Sequence, residues 1–140
     1  MRTWQPVVGG LFLLFLACGG LGATVEGTLL VDGQPFNAAS CTSGAVYGFS
    51  GIELRNAQGE GLRIVTNPDD TASVVLLPLG ASSGIDLGPC GTAGFRTTSL
   101  TINDVSAVEG QATLQCDVSD HKVSGTVQVS RCATELFSGF

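Results

Sequence analysis

Between residues 24 and 132 the apolar residues recur at every second position in short runs, and each run ends at residues that turn a chain. "TVEGTLLVDGQPF" sets Val25, Gly27, Leu29 and Val31 on one face and then meets Asp32-Gly33, a pair that accepts the positive φ of a two-residue hairpin. "GIELRNAQGEGLRIVTN" repeats the device, with Ile52 and Leu54, a turn, then Leu62 and Ile64 before "NPDD" at Asn67 to Asp70. Val74 to Leu77 is apolar on both faces, which predicts an innermost strand covered on both sides and ended by Pro78. A short "GIDLG" follows, then "FRTTSLTIND" with Leu100 and Ile102 in phase, and "QATLQCDVS" with Leu114, Cys116 and Val118 in phase. The last strand, "KVSGTVQVSRC", is joined to its predecessor by a turn near Ser119 to Lys122. No helical period interrupts this pattern. It predicts a single all-β domain, an antiparallel β-sandwich or flattened barrel of about eight strands.

A chain of 140 residues is one domain and long enough to bury its own core. Only 13% of the residues are charged, and the twenty glycines far exceed the roughly 7% of ordinary chains, which predicts many turns. The net charge is −6, and Arg2, Arg55, Arg63, Arg96, Lys122 and Arg131 are scattered singly. Such a chain builds no positive stripe for a phosphate backbone, so nucleic acid is excluded as an expected partner.

The amino terminus reads as an export signal: Met1 and Arg2 give a positive start, Val7 to Ala17 an apolar core, and small residues follow. The run is too short for a membrane-spanning helix, which needs about 20 apolar residues. Phe15-Leu16-Ala17-Cys18 resembles the lipobox of bacterial lipoproteins, although Phe15 stands where that family prefers Leu. The resemblance implies residues 1–17 as a cleaved signal peptide, lipid on the Cys18 sulfur and acylation of its amine, and 18–24 as a tether to a β domain over 25–140. Two or more acyl chains anchor a protein stably where one does so only marginally. Gly19 after the cysteine implies sorting to an outer membrane in hosts that have one. The alternative is ordinary secretion, with cleavage after Gly19 or near Gly22 or Ala23 and Cys18 discarded.

Either reading removes Cys18 from the thiol pool and leaves Cys41, Cys90, Cys116 and Cys132, an even number suited to two disulfides in an exported chain. Four cysteines allow three connectivities. The favoured one joins Cys116 to Cys132 and Cys41 to Cys90, although a turn at 119–122 sets residue 125 opposite Cys116 and requires a bulge to bring Cys132 back. No two cysteines have CxxC spacing, so neither metal nor redox chemistry is expected.

No cofactor and no catalytic residue is expected. "GASSG" (Gly80 to Gly84) matches the letters of the G-x-S-x-G nucleophile motif, but Ile85-Asp86-Leu87-Gly88-Pro89 cannot begin the helix that motif needs, so a hairpin loop is expected. His121, the single histidine, falls at a hairpin tip where Asp120 could pair with it. Asp69 and Asp70 lack the repeated acidic spacing of a calcium loop and read as a turn. Asp104 and Glu109 are two acids without the aromatic stripe that stacks a sugar. Tyr47, Phe49 and Phe36 are expected to cluster on one face.

The order "VDGQ", "CTSG" at Cys41 to Gly44, "GQATLQCDVSDHKVSGTV" and a last strand ending at Cys132 resembles the small lipoprotein antigens of mycobacteria. That resemblance implies pairing of Cys41 with Cys132, leaving Cys90 for Cys116. The expectation for function is a non-enzymatic envelope lipoprotein with two partners: the membrane, through lipid on Cys18, and an unidentified protein met through an exposed strand edge. The alternatives are a carrier with a cavity of at least about 300 Å³ lined by Val and Leu faces, an ordinarily secreted β protein, or a minimal hydrolase using Ser82 or Ser83 with His121.

Overall fold

The computed structural model describes residues 22–134. The expected signal peptide and Cys18 lie outside the described residues. Nine strands form one antiparallel sheet: β1 (Thr24–Val31), β2 (Gln34–Pro35), β3 (Ala38–Ser43), β4 (Gly51–Asn56), β5 (Gly61–Thr66), β6 (Thr71–Leu77), β7 (Ile85–Ile102), β8 (Val105–Val118) and β9 (His121–Cys132). A 3-10 turn, Gly44–Tyr47, stands between β3 and β4. From β3 to β9 each strand pairs with the next, and β9 then pairs with β1, which carries β2 at the outer edge.

This order is that of a sheet curled almost into a ring. β2 and β3 run in the same direction, and the chain steps from one to the other through Phe36 and Asn37, exchanging β1 for β4 as partner. The remaining seam is fastened at Ala133, which bridges to Thr42 and whose carbonyl accepts the Ser43 N–H at 2.7 Å. A disulfide from Cys41 to Cys132 crosses the same seam. The architecture is therefore a curled single sheet rather than two stacked ones.

Alternation decides which face fills the interior, because successive side chains of a strand point to opposite sides. Ile52 and Leu54 on β4 meet Ile64 and Leu62 on β5, which meet Val74 and Leu76 on β6, and all of these are buried. Leu114, Val123 and Val127 continue the core on β8 and β9. The run at Val74 to Leu77 is buried only at alternate positions: Ala72, Val74 and Leu76 are inside, whereas Val75 and Leu77 are half-buried. The expectation of a strand covered on both sides is corrected, because a single curled sheet has one interior face.

Turns follow the dipeptides. Asp32-Gly33 joins β1 to β2 with Val31 opposite Gln34, and Ser119-Asp120 joins β8 to β9 with Val118 opposite His121. That second turn sets Val123, not residue 125, opposite Cys116. Two runs read as separate strands, "GIDLG" and "FRTTSLTIND", form one long strand, β7, which bends at register shifts rather than breaking. Several glycines lie inside strands and not in turns. Gly27 and Gly125 face each other's strand with φ of 106° and 124°, and a Cβ on either would collide with a carbonyl oxygen, of Thr126 or of Thr28. Glycine there lets β1 and β9 bend sharply enough for the sheet to close.

The disulfides are Cys41 to Cys132 and Cys90 to Cys116. The favoured pairing of Cys116 with Cys132 and Cys41 with Cys90 is corrected. The tight β8–β9 turn sends Cys132 back to a position opposite Val108, at the far end of the hairpin from Cys116. Cys90 and Cys116 instead meet on neighbouring strands β7 and β8, where Gly91 pairs with Leu114.

Candidate functional site

Antiparallel order gathers the turns at two ends. The β1–β2, β4–β5, β6–β7 and β8–β9 turns share one end, here the open end. The 3-10 turn, the turns at 67–70 and 103–104, and the chain's entry at Gly22 and exit at Thr134 share the other, the seam end.

At the open end a cleft of about 350 Å³ lies between the β1–β2 turn, the β4–β5 turn and the end of β6. Its walls are apolar, from Val31, Pro35, Phe36, Leu76 and Leu77. Asp32, Glu60 and His121 give it polar corners. Asp32 is held by its own turn's neighbour: the Lys122 N–H donates to Oδ1 at 2.8 Å, while the Asp32 N–H donates to the Lys122 carbonyl at 2.7 Å. The backbone N–H of Lys122, aided by His121, holds the Asp32 carboxyl below its ordinary value. His121 Nδ1 lies 3.5 Å from Asp32 Oδ2, too long for a good hydrogen bond, and that nitrogen is buried without a hydrogen-bond partner. The residue His121 meets is thus Asp32, across strands, and not the neighbouring Asp120. Glu60 accepts at Oε1 from Asn56 Nδ2 at 2.9 Å.

Toward the seam end, the outer face of β4 and β5 carries a second constellation. Glu53 is 1% exposed and bridges two guanidinium groups, accepting from Arg55 Nε at 2.9 Å and from Arg63 Nε at 2.7 Å. Both arginines are about one-third exposed, so the cluster is a buried anion under two partly solvated cations. The Arg63 guanidinium carbon sits 4.8 Å from the Tyr47 ring centre and 5.2 Å from that of Phe49, a cation–π arrangement. Tyr47 and Phe49 stack at 6.4 Å. Phe36 does not join them, contrary to expectation: it packs against the core beside the open-end cleft. Alternation alone would have pointed Glu53 to solvent, and the signal for this cluster is the cross-strand register of Glu53 with Arg63.

The remaining residues singled out from sequence have local roles. Gly80 to Gly84 lies in the β6–β7 loop, and β7 follows directly at Ile85, so no helix succeeds the motif. Asp69 Oδ1 accepts from the Thr71 hydroxyl at 2.6 Å and the Thr71 N–H at 3.1 Å, which closes the β5–β6 turn and lowers the Asp69 carboxyl below its ordinary value. Asn103 and Asp104 both have positive φ and make the two-residue turn between β7 and β8. Glu109 is ion-paired to Arg96, its cross-strand neighbour, and so is not coupled to Asp104. Comparison of the chain with protein-family models, curated proteins and solved structures finds no match.

Proposed function

We propose that this chain is an exported, non-enzymatic lipoprotein of the bacterial envelope, held by lipid on Cys18, whose β domain acts by contact with another protein. The observation that carries the reading is the cysteine pairing. Cys41, Cys90, Cys116 and Cys132 are paired with one another in two disulfides, which form in oxidising compartments, so no thiol among the described residues calls for a fifth cysteine. That fits a cysteine whose sulfur is reserved for lipid. β1 begins at Thr24, so a tether from residue 18 enters the domain at the seam end and leaves the open end facing away from the membrane.

The surface favoured for protein contact is Tyr47 with Val46, each more than 40% exposed, beside Arg63. Tyrosine and arginine are enriched where protein interfaces concentrate their binding energy. Here Glu53 fixes the guanidinium in advance, so little side-chain freedom remains to be lost on binding.

Intact mass of the membrane-fraction protein tests the anchor. The expected product begins at Cys18, carries acyl chains and leaves the membrane fraction in a Cys18→Ala variant. A mature mass that begins after Gly19 without acyl increments overturns lipidation and establishes ordinary secretion. For the contact surface, a photo-reactive residue at position 47 is expected to give one discrete adduct in intact envelopes, where the same residue at Leu79 on the open end gives none. Equal adducts from both positions overturn the assignment.

A further inference from the structure

We propose that the open-end cleft binds a small apolar molecule that carries a single ammonium head. The inference is independent of the lipid on Cys18 and of the Tyr47 surface, because it rests on a different part of the molecule.

Size and lining set the body of the ligand. The mouths of curled and barrel sheets are recurrent ligand sites, and a volume of about 350 Å³ lies at the small end of the range such sites span. Val31, Phe36, Leu76 and Leu77 offer only hydrocarbon and an aromatic face, which a compact alkyl or aryl group matches.

Charge sets the head. The lining contains the carboxylates of Asp32 and Glu60 and no lysine or arginine. Each carboxylate has one oxygen engaged: Asp32 Oδ1 by the Lys122 N–H, and Glu60 Oε1 by Asn56. Asp32 Oδ2 has only His121 at 3.5 Å, and Glu60 Oε2 has no donor among the described residues. An ammonium supplies three donors to such oxygens, whereas a carboxylate head would bring a third negative charge to a cleft whose lining already holds two carboxylates and no lysine or arginine. His121 Nδ1, buried and 3.5 Å from Asp32 Oδ2, makes no hydrogen bond to it, so that oxygen keeps its capacity to accept from a ligand.

The test uses the mature chain with both disulfides intact, taken from the membrane fraction or the medium, whichever holds it, and titrated with three probes. These are 4-phenylbutylamine, 4-phenylbutan-1-ol and 4-phenylbutyrate, which share a body and differ in the head. Two-dimensional amide NMR is expected to show the amine shifting Val31, Phe36, Leu76 and His121, with affinity about tenfold above that of the alcohol, as a charge-assisted contact provides. The butyrate should be weaker than both. Asp32→Asn and Glu60→Gln, which keep side-chain shape and acceptor oxygens, are expected to bring the amine down to the affinity of the alcohol without changing the alcohol. Butyrate binding as tightly as the amine, amine shifts away from the cleft, or no shift from any probe overturns the proposal. Because the three-probe comparison is made on the unaltered protein, it stands even if a variant fails to fold.

Discussion

The two ends of the curled sheet each hold a carboxylate against a nitrogen-bearing side chain, and they do so in opposite ways. At the seam end Glu53 is buried and bidentate across two arginines on the outer face, and a disulfide on the inner face ties β3 to the end of β9. At the open end Asp32 is nearly half-exposed, His121 stands off at 3.5 Å and the tie depends on backbone groups of Lys122. A sheet whose edges approach but do not zip needs a fastening at one end, and once it is closed there the other end can stay loosely held around a cleft. The difference teaches where order is enforced in this fold and where room is left for a ligand.

Breaking the fastening should have the largest effect. Removing Cys41–Cys132 in a double alanine variant is expected to cost about 4.5 kcal/mol, and removing Cys90–Cys116 about 3.5 kcal/mol, because the first closes a loop with a separation of 91 and the second one of 26. Denaturant unfolding of the two variants measures the order. A seam variant no less stable than the other would mean that the seam contributes no constraint on the unfolded chain.

Next comes Glu53→Gln, which leaves two guanidinium groups over a neutral amide. The expected loss is about 3 kcal/mol, at the low end for breaking a buried pair because both arginines reach solvent. A change below about 1 kcal/mol, the level of an exposed pair, would place this cluster with ordinary surface charges. Arg63→Ala adds a finer measure, since it also frees the Tyr47 and Phe49 rings.

The smallest effect is at the open end and depends on pH. The folded-state carboxyl of Asp32 lies below its unfolded value, first because of the Lys122 N–H, so its stabilising contribution is present above the unfolded value. That contribution is lost as pH falls through the lower, folded value, in the region below about pH 4. Asp32→Asn should therefore lose a small stabilising contribution near neutrality and none in strong acid, which flattens this part of the acid limb of stability. An acid limb identical in the variant removes the tie from the account.

Much of this was legible locally. Asp32-Gly33 sets a turn by its own φ preferences, and the alternation at Ile52, Leu54, Leu62 and Ile64 assigns one face to the interior whatever the partner strands. β3 was not legible, because Ala38 to Ser43 is built of small and polar residues without an apolar period, and only pairing with β4 makes it a strand. The disulfide pairing failed for a related reason. The turn is two residues shorter than supposed and sets residue 123 opposite Cys116, but in either register Cys132 falls at the far end of the hairpin, opposite Val108 in the structure, where no sequence-local signal names its partner.

The sequence by itself determined an antiparallel all-β chain, its principal turns and four cysteines for two bridges. Those features depend on residues close together along the chain, where φ preferences and period-2 burial act directly. Only the tertiary structure decided that the sheet curls on itself instead of splitting into a sandwich, which of the two cysteine pairings under consideration forms, that Glu53 lies under Arg55 and Arg63, and that Asp32 meets His121. Each of these joins residues brought together by the curvature of the whole sheet, and that curvature is the sum of bends at positions such as Gly27 and Gly125 that no single strand reveals.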